Sequence, residues 1–184
     1  MEYFTAEKHR IDMKNITIPG RILDIGGGGE GVISRIFGNR VIAIDNRKDE
    51  LEESPDYGLK IVMDARELKF LDNSIDNVTC FYSLMYMSEA DIDKVLAEIY
   101  RVLVPAGGLW IWDTCIPCPQ AEDIFLAPLE VNLPDETITP TYGISWRRSQ
   151  SLESMEQKCV ATGFTTVKKE SAGQGFHLQL CKFS

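Results

Sequence analysis

Four consecutive glycines, Gly26 to Gly29, follow the apolar run Arg21-Ile-Leu-Asp-Ile25, and Glu30-Gly31 leads from them into a helical pattern. A residue without Cβ adopts positive φ freely and lets its backbone approach a ligand closely. A strand, a glycine-rich turn and a helix start in that order form a nucleotide-type site at the carboxyl end of a strand. The plainer reading is a tight strand-to-helix turn, for which one or two glycines are enough.

The rest of the chain alternates in the same way, which predicts an α/β fold with a mostly parallel sheet covered on both faces. Strands are expected at Ile22–Ile25, at Val41–Ile44 ending on Asp45, at Leu59–Met63 ending on Asp64, at Asn77–Phe81, and at Leu109–Trp112 ending on Asp113. Helices are expected at 5–15 as an entry element, at Glu30–Phe37 before Gly38, and at Lys48–Glu53 before Pro55. The strongest helix pattern is Glu89–Leu103, where Ile92, Val95, Leu96, Ile99 and Leu103 share one face. Ser88 is its expected N-cap, with Asp91 three residues on. A last helix is read at Leu152–Thr162, stopped by Gly163. Two strands follow, Phe164–Lys169 and Phe176–Phe183, and the linker between them is too short for a crossover helix, so they must be antiparallel.

Residues 114–146 break the rhythm. They contain five prolines, and Leu129, Val131 and Leu133, then Ile138, Tyr142, Ile144 and Trp146, alternate with polar residues. That pattern predicts a β-hairpin inserted after the fifth strand, placed either as a lid over the ligand edge of the sheet or as packing against a sheet edge or a second subunit.

Composition narrows the function classes. The 184 residues suit one domain spanning 1–184, with 44% hydrophobic and 26% charged residues. A net charge of −9 without a Lys/Arg run argues against nucleic acid as partner. No apolar run reaches the length of a membrane span, and the first ten residues lack a signal-peptide layout. Five cysteines without framework spacing suggest free thiols and a cytoplasmic protein. Cys115 and Cys118 form a single pair with no partners for a four-ligand zinc site, so no metal is expected.

The chemistry resides in the acids at the strand ends. Asp45 lies 19 residues beyond Gly26, about where a carboxylate reaches both hydroxyls of a ribose. Asp64 can accept from an exocyclic amine, with the Ala65 N–H meeting a ring nitrogen. Each has a plainer reading, Asp45 as a turn residue before Asn46 and Asp64 as a cap before Arg66-Glu-Leu68.

Taken together, these segments resemble the class I S-adenosylmethionine (SAM)-dependent methyltransferases, over about Gly20 to Asp113. The resemblance is carried by Ile22-Leu-Asp-Ile-Gly-Gly-Gly-Gly-Glu-Gly31, Val41-Ile-Ala-Ile-Asp45, Met63-Asp-Ala65, Asn73-Ser-Ile-Asp-Asn-Val-Thr-Cys-Phe81 and Arg101-Val-Leu-Val-Pro-Ala-Gly-Gly-Leu109. One position departs: Glu30 stands where the family's third loop glycine falls, and the glycine is displaced to Gly31. The resemblance implies the Rossmann-like methyltransferase fold, doubly wound and seven-stranded with an antiparallel last strand. It implies SAM as cofactor, S-adenosylhomocysteine as product, and in-line methyl transfer to a small-molecule acceptor. It also implies a cofactor site of Asp24, Gly26, Gly27, Gly28, Gly29, Asp45, Asn46, Asp64, Ala65, Phe81 and Tyr82. Tyr86, Asp113, Tyr142 and Trp146 are the candidate acceptor-side residues, and no catalytic residue is assigned. His9 and His177, the two histidines, are read as structural or surface groups.

Two other readings stay open. Gly26-x-Gly28-x-x-Gly31 formally satisfies the dinucleotide fingerprint of an NAD(P)-dependent oxidoreductase. Glu30 opposes it: an anion ~5 Å from a pyrophosphate, at an effective dielectric of ~20, is repelled by roughly 3 kcal/mol. The other is a SAM-binding module without transferase activity, acting as a partner subunit. A homodimer is compatible with each.

Overall fold

The computed structural model describes residues 2–119 and 122–183, so Gln120 and Ala121 of the inserted segment lie outside the described residues. In chain order its strands and helices are β1 (Tyr3–Thr5), β2 (His9–Asp12), β3 (Ile22–Ile25), α1 (Val32–Phe37), β4 (Val41–Asp45), α2 (Lys48–Glu53), β5 (Leu59–Val62), β6 (Ile75–Phe81), α3 (Glu89–Val102), β7 (Leu103–Thr114), β8 (Ile124–Asn132), β9 (Thr137–Ile138), β10 (Thr141–Ser145), α4 (Leu152–Thr162), β11 (Phe164–Ala172) and β12 (Gly175–Lys182).

Seven strands form the main sheet in the order β11-β12-β7-β6-β3-β4-β5. The five from β7 to β5 run parallel, while β12 is antiparallel to both β7 and β11. This is the Rossmann-like methyltransferase arrangement, with strand order reversing between β3 and β6. The central strands are short apolar runs because both of their faces are covered. Every residue of β3 is buried, and in β6 only Asp76 is exposed.

One face carries α3 and α4. Ile92, Val95, Leu96 and Ile99 of α3 pack with Leu23, Val78, Leu109 and Ile111 of the sheet in one buried cluster. The Asp91 N–H donates to Ser88 Oγ at 3.2 Å and caps the helix start. Gly163, at φ +117°, ends α4.

The opposite face is covered by α1, α2 and a second sheet. The hairpin expected in 114–146 is present as β8 paired antiparallel with β9 and β10. The entry helix expected over 5–15 is not. That segment forms β1 and β2, and both run parallel along one edge of β8. Ile11 and Met13 are buried while Asp12 between them is exposed, a two-residue period that a helix cannot bury against one surface. Pro128 sits within β8, opposite the break between β1, which pairs up to Leu126, and β2, which begins at Leu129. A residue without an N–H is tolerated at such a gap in the ladder. Phe125, Leu129, Val131, Ile144 and Trp146 from this small sheet share one core with Ile22, Val32, Ile33, Phe37 and Val41.

Candidate functional site

The glycine turn leaves β3 at its carboxyl end. Gly26 has φ +71°, and a Cβ there would lie 2.5 Å from Ser83 Cβ. At Gly28 a Cβ would lie 2.5 Å from Glu50 Cβ, so α2 rests directly on the loop. Both contacts are with protein, which accounts for more glycines than a tight turn requires. The loop also satisfies much of its own backbone. Gly26 and Gly27 N–H donate to Ile44 O at 2.8 and 3.0 Å, Gly29 N–H to Glu50 O at 2.8 Å, and Gly31 N–H to Gly28 O at 3.2 Å. Donors committed in this way do not form the open cradle that a pyrophosphate needs.

A cavity of about 560 Å³ opens over the carboxyl ends of β3, β4, β5 and β6. Of the residues expected to hold a cofactor, Asp24, Gly26, Gly27, Gly28, Asp45, Asn46, Asp64, Ala65, Phe81 and Tyr82 line it. Gly29 is not on its wall. Of the acceptor-side candidates, Tyr86 and Tyr142 line it, while Asp113 and Trp146 do not. Asp113 is fully buried and accepts the Thr114 N–H at Oδ1 (2.8 Å). Trp146 donates from Nε1 to Pro117 O (2.9 Å) and packs against Phe4 and Phe125. Both were placed on the site by sequence because they end or follow a strand; the register instead turns them into the core.

The wall is acidic, with six carboxylates against two guanidiniums. Both arginines are already engaged. Arg47 pairs with Asp49 and with Glu50 at 2.9 Å, and Arg66 holds Asp64 at 2.7 Å and Asp91 at 3.1 Å. The Arg66 hydrogen bonds keep the Asp64 carboxyl below the usual carboxylate range. Asp64 thus has the turn role as well as a place on the wall. Asp45 accepts the Arg47 N–H at Oδ1 (2.9 Å), and no described cation pairs with its side chain. Asp24 is buried beneath the loop and accepts from Thr79 Oγ1 at 2.7 Å. Burial pushes its carboxyl up to about 7.

Glu30 shows what the displaced glycine is for. Tyr142 Oη donates to Glu30 Oε2 at 3.0 Å, and Arg35 Nε donates to the Glu30 carbonyl at 2.7 Å. Arg35 continues to Glu136, in the turn before β9, at 2.6 Å. The small sheet is therefore tied to the glycine loop through a residue that no glycine could replace. The Tyr142 ring stacks on Tyr82, with centroids 5.5 Å apart.

Sequence reasoning missed two groups. Arg148 donates to the carbonyls of Leu84 (2.9 Å) and Met87 (2.9 Å), and so fixes the turn after β6 that carries Tyr86. His9 lies 2.5 Å, Nδ1 to Oη, from Tyr82. Neither has a local signal: His9 acquires its position from strands paired far along the chain, and Arg148 lies in the irregular stretch between β10 and α4.

Residues 23–111 match the family model described as "Methyltransferase domain". Curated relatives include a demethylmenaquinone methyltransferase of Thermus thermophilus, 31% identical over 55% of this chain and 50% of its own length. A ubiquinone/menaquinone biosynthesis C-methyltransferase of Vibrio cholerae is 34% identical over 54% of this chain and 43% of its own. The chain thus spans about half the length of the curated relatives it matches. Among solved structures, a SAM-dependent methyltransferase of Methanosarcina mazei aligns with TM-score 0.65 and 20% identity, covering 91% of this chain and 94% of that one. A Pyrococcus horikoshii protein aligns with TM-score 0.65 and 18% identity, covering 92% and 86%. At such identities these structures speak to the fold.

Proposed function

We propose that this chain is a class I SAM-dependent methyltransferase that transfers a methyl group to a small-molecule acceptor held between the glycine loop and the small sheet. The observation that carries this reading is the acidic cavity at the sheet's carboxyl edge, with Asp45 in no ion pair among the described residues and the N–H groups of Gly26, Gly27, Gly29 and Gly31 already used. That wall suits a ligand with two hydroxyls and positive charge, and repels a pyrophosphate.

Under this proposal Asp45 accepts from the ribose hydroxyls, with Asn46 beside it. Asp64 and the Ala65 N–H meet the adenine, while Arg66 holds the Asp64 carboxylate in place. Gly26, Gly27 and Gly28 face the methionyl half, and Asp24 braces the loop from below. Gly29 contributes loop geometry alone. Phe81 and Tyr82 border the reacting methyl; Tyr86 and Tyr142 border the acceptor. When bound, SAM supplies a sulfonium-activated methyl group, and the protein's part is alignment and exclusion of water.

One relative is named for demethylmenaquinone and another for C-methyl transfer in ubiquinone/menaquinone biosynthesis, which supports a small-molecule acceptor. The segment 114–146 acts here as a fixed cover whose β10 edge reaches the cavity. Its inner face is occupied by the chain's own core, so a homodimer would use another surface, which sedimentation measures. No described helix is long and apolar enough to cross a membrane, and five unpaired cysteines support a reducing compartment such as the cytoplasm.

The test is calorimetry followed by transfer. S-adenosylhomocysteine should bind and NAD should not, and labelled methyl from SAM should appear in one of a panel of hydroquinones, phenols, amines and thiols. Tight NAD binding without S-adenosylhomocysteine binding overturns the reading. Binding without transfer to any acceptor favours the non-catalytic module.

A further inference from the structure

One hydrogen-bonded pair links the cavity to a second groove. Tyr82 lines the cavity. His9 lines a separate groove of about 550 Å³ on the other side, between β2 and the strands β11 and β12. Their Oη and Nδ1 atoms lie 2.5 Å apart. We propose that Tyr82 and His9 form a proton relay, carrying the acceptor's proton from the cavity to the groove as the methyl group arrives, and that the acceptor is therefore a neutral hydroxyl acid of the phenol or enol type. This rests on the methyl-transfer reading above.

Three observations converge. Tyr82 has φ +51°, a conformation that an aromatic residue adopts only when its surroundings impose it. The constraints are visible: its N–H donates to Trp112 O at 2.8 Å, its ring stacks on Tyr142, and its hydroxyl meets His9. The His9 ring in turn occupies the space above Gly175, where a Cβ would lie 1.8 Å from Nδ1. A side chain at 175 would expel the imidazole. Two strained or side-chain-free positions thus hold one hydrogen bond at the partition.

The charge balance suits a relay. The acceptor oxygen gains the methyl group while the donor's carbon–sulfur bond breaks and its electron pair stays on sulfur. The acceptor's proton passes to Tyr82 Oη, the proton of Tyr82 passes to His9 Nδ1, and the imidazolium loses a proton from Nε2 to water in the groove. Burial raises the Tyr82 phenol well above its ordinary value, and Asp113 and Cys115 nearby add to the rise, so Tyr82 rests neutral and passes protons rather than keeping charge. Burial lowers the His9 imidazole, which leaves it free to accept at neutral pH. Across the groove His9 is accompanied by His177, Glu170 and Lys168, with Arg10 and Asp12 on its own strand. On the cavity side, Tyr142 and Glu30 stand behind the Tyr82 ring.

Two measurements on the full chain decide the matter. Nitrogen-15 NMR of the histidines, with no ligand present, reads the His9 tautomer. A bare Nδ1 with protonated Nε2 is expected; a protonated Nδ1 donating to Tyr82 overturns the relay. Methyl transfer from labelled SAM to a simple hydroquinone and a simple amine is then followed from about pH 5 to about pH 9. The wild type should methylate the hydroquinone, with kcat falling only on the acid side, below the usual imidazole range. His9→Asn and Tyr82→Phe should each lower kcat roughly 100-fold, abolish the acid limb, and leave S-adenosylhomocysteine affinity within about twofold. Free imidazole should restore part of the rate to His9→Gly, which a purely structural role would not allow. Full kcat in His9→Asn, or transfer to the amine alone, sinks the relay while the methyl-transfer reading stands. A wild type that methylates nothing sinks both.

Discussion

The two sheets meet on one core but hold their residues differently. In the seven-stranded sheet the central strands are buried on both faces, and their carboxyl ends present Asp45 and Asp64 to the cavity. In the small sheet β8 alternates buried and half-buried residues along its whole length, with Phe125, Ala127, Leu129 and Val131 turned inward. The first arrangement makes strand ends rigid, and suits a ligand whose groups never change. The second brings single side chains from opposite edges of one sheet, Tyr142 to the cavity and His9 to the groove beside it. Under the function proposed above, cofactor recognition falls to the backbone-rich sheet, and acceptor handling to a sheet whose exposed positions can vary without cost to its core.

The strongest challenge to that division is Phe125→Ala. Phe125 is wholly buried beneath Phe4 and Trp146. Emptying that volume should cost about 3–5 kcal/mol. Because the sheets share a core, near- and far-ultraviolet dichroism should report one transition; a small sheet that melts first, with S-adenosylhomocysteine still bound, would show the sheets to be separable.

A somewhat smaller effect comes from charge within the main sheet. Burial pushes the Asp113 carboxyl from about 3.8 up to about 7. The folded chain keeps a proton that the unfolded chain has released, so this group costs stability increasingly from about pH 4 to about pH 7 and by a constant amount above. Asp113→Asn should remove this group's share of the slope, leaving that of Asp24, and gain on the order of 2–3 kcal/mol at pH 8, as read by urea denaturation at several pH values. An unchanged slope would assign the pH dependence to Asp24, which burial raises likewise.

Asp45→Ala addresses recognition rather than folding. Its loss should weaken S-adenosylhomocysteine by ~1.5–3 kcal/mol, the range for hydrogen bonds to a charged group, with little change in melting temperature. The mildest case is Tyr142→Phe, which deletes the donor to Glu30 and keeps the ring on Tyr82. It should cost about 1 kcal/mol of stability. The same change in a Glu30→Gln background should cost less if the contact across the sheets is the reason.

The main sheet was legible because parallel buried strands read as contiguous apolar runs, and Val41–Ile44 or Ile22–Ile25 leave little choice. Helix α3 announced itself through its apolar face and Ser88. The small sheet was half legible. The alternation at Leu129, Val131 and Leu133 showed a strand, but Pro128 hid its first half. The N-terminal strands gave no usable signal: three or four residues with Glu, Lys, His and Arg interspersed resemble a polar helix until β8 supplies the ladder. His9 was set aside for that reason, since its place depends on pairing opposite Leu129 and on the bare backbone of Gly175. Asp113 and Trp146 failed as cavity residues for a related reason, because facing direction is set by register and a sequence shows only position.

The pairing of β1 and β2 with β8 joins Tyr3 to Ile124 and His9 to Leu129. A ribosome delivers these partners far apart in time. At ~5–20 residues per second, the ~120 intervening residues take roughly 6–24 s to emerge. Throughout that interval the first dozen residues are outside the tunnel without their ladder, while the glycine loop and its neighbouring strands are already available to assemble. The wall that carries His9 is thus completed only once residues 124–132 have emerged. A nascent chain halted before residue 124 should expose its amino end to protease, and one halted well past residue 132 should protect it.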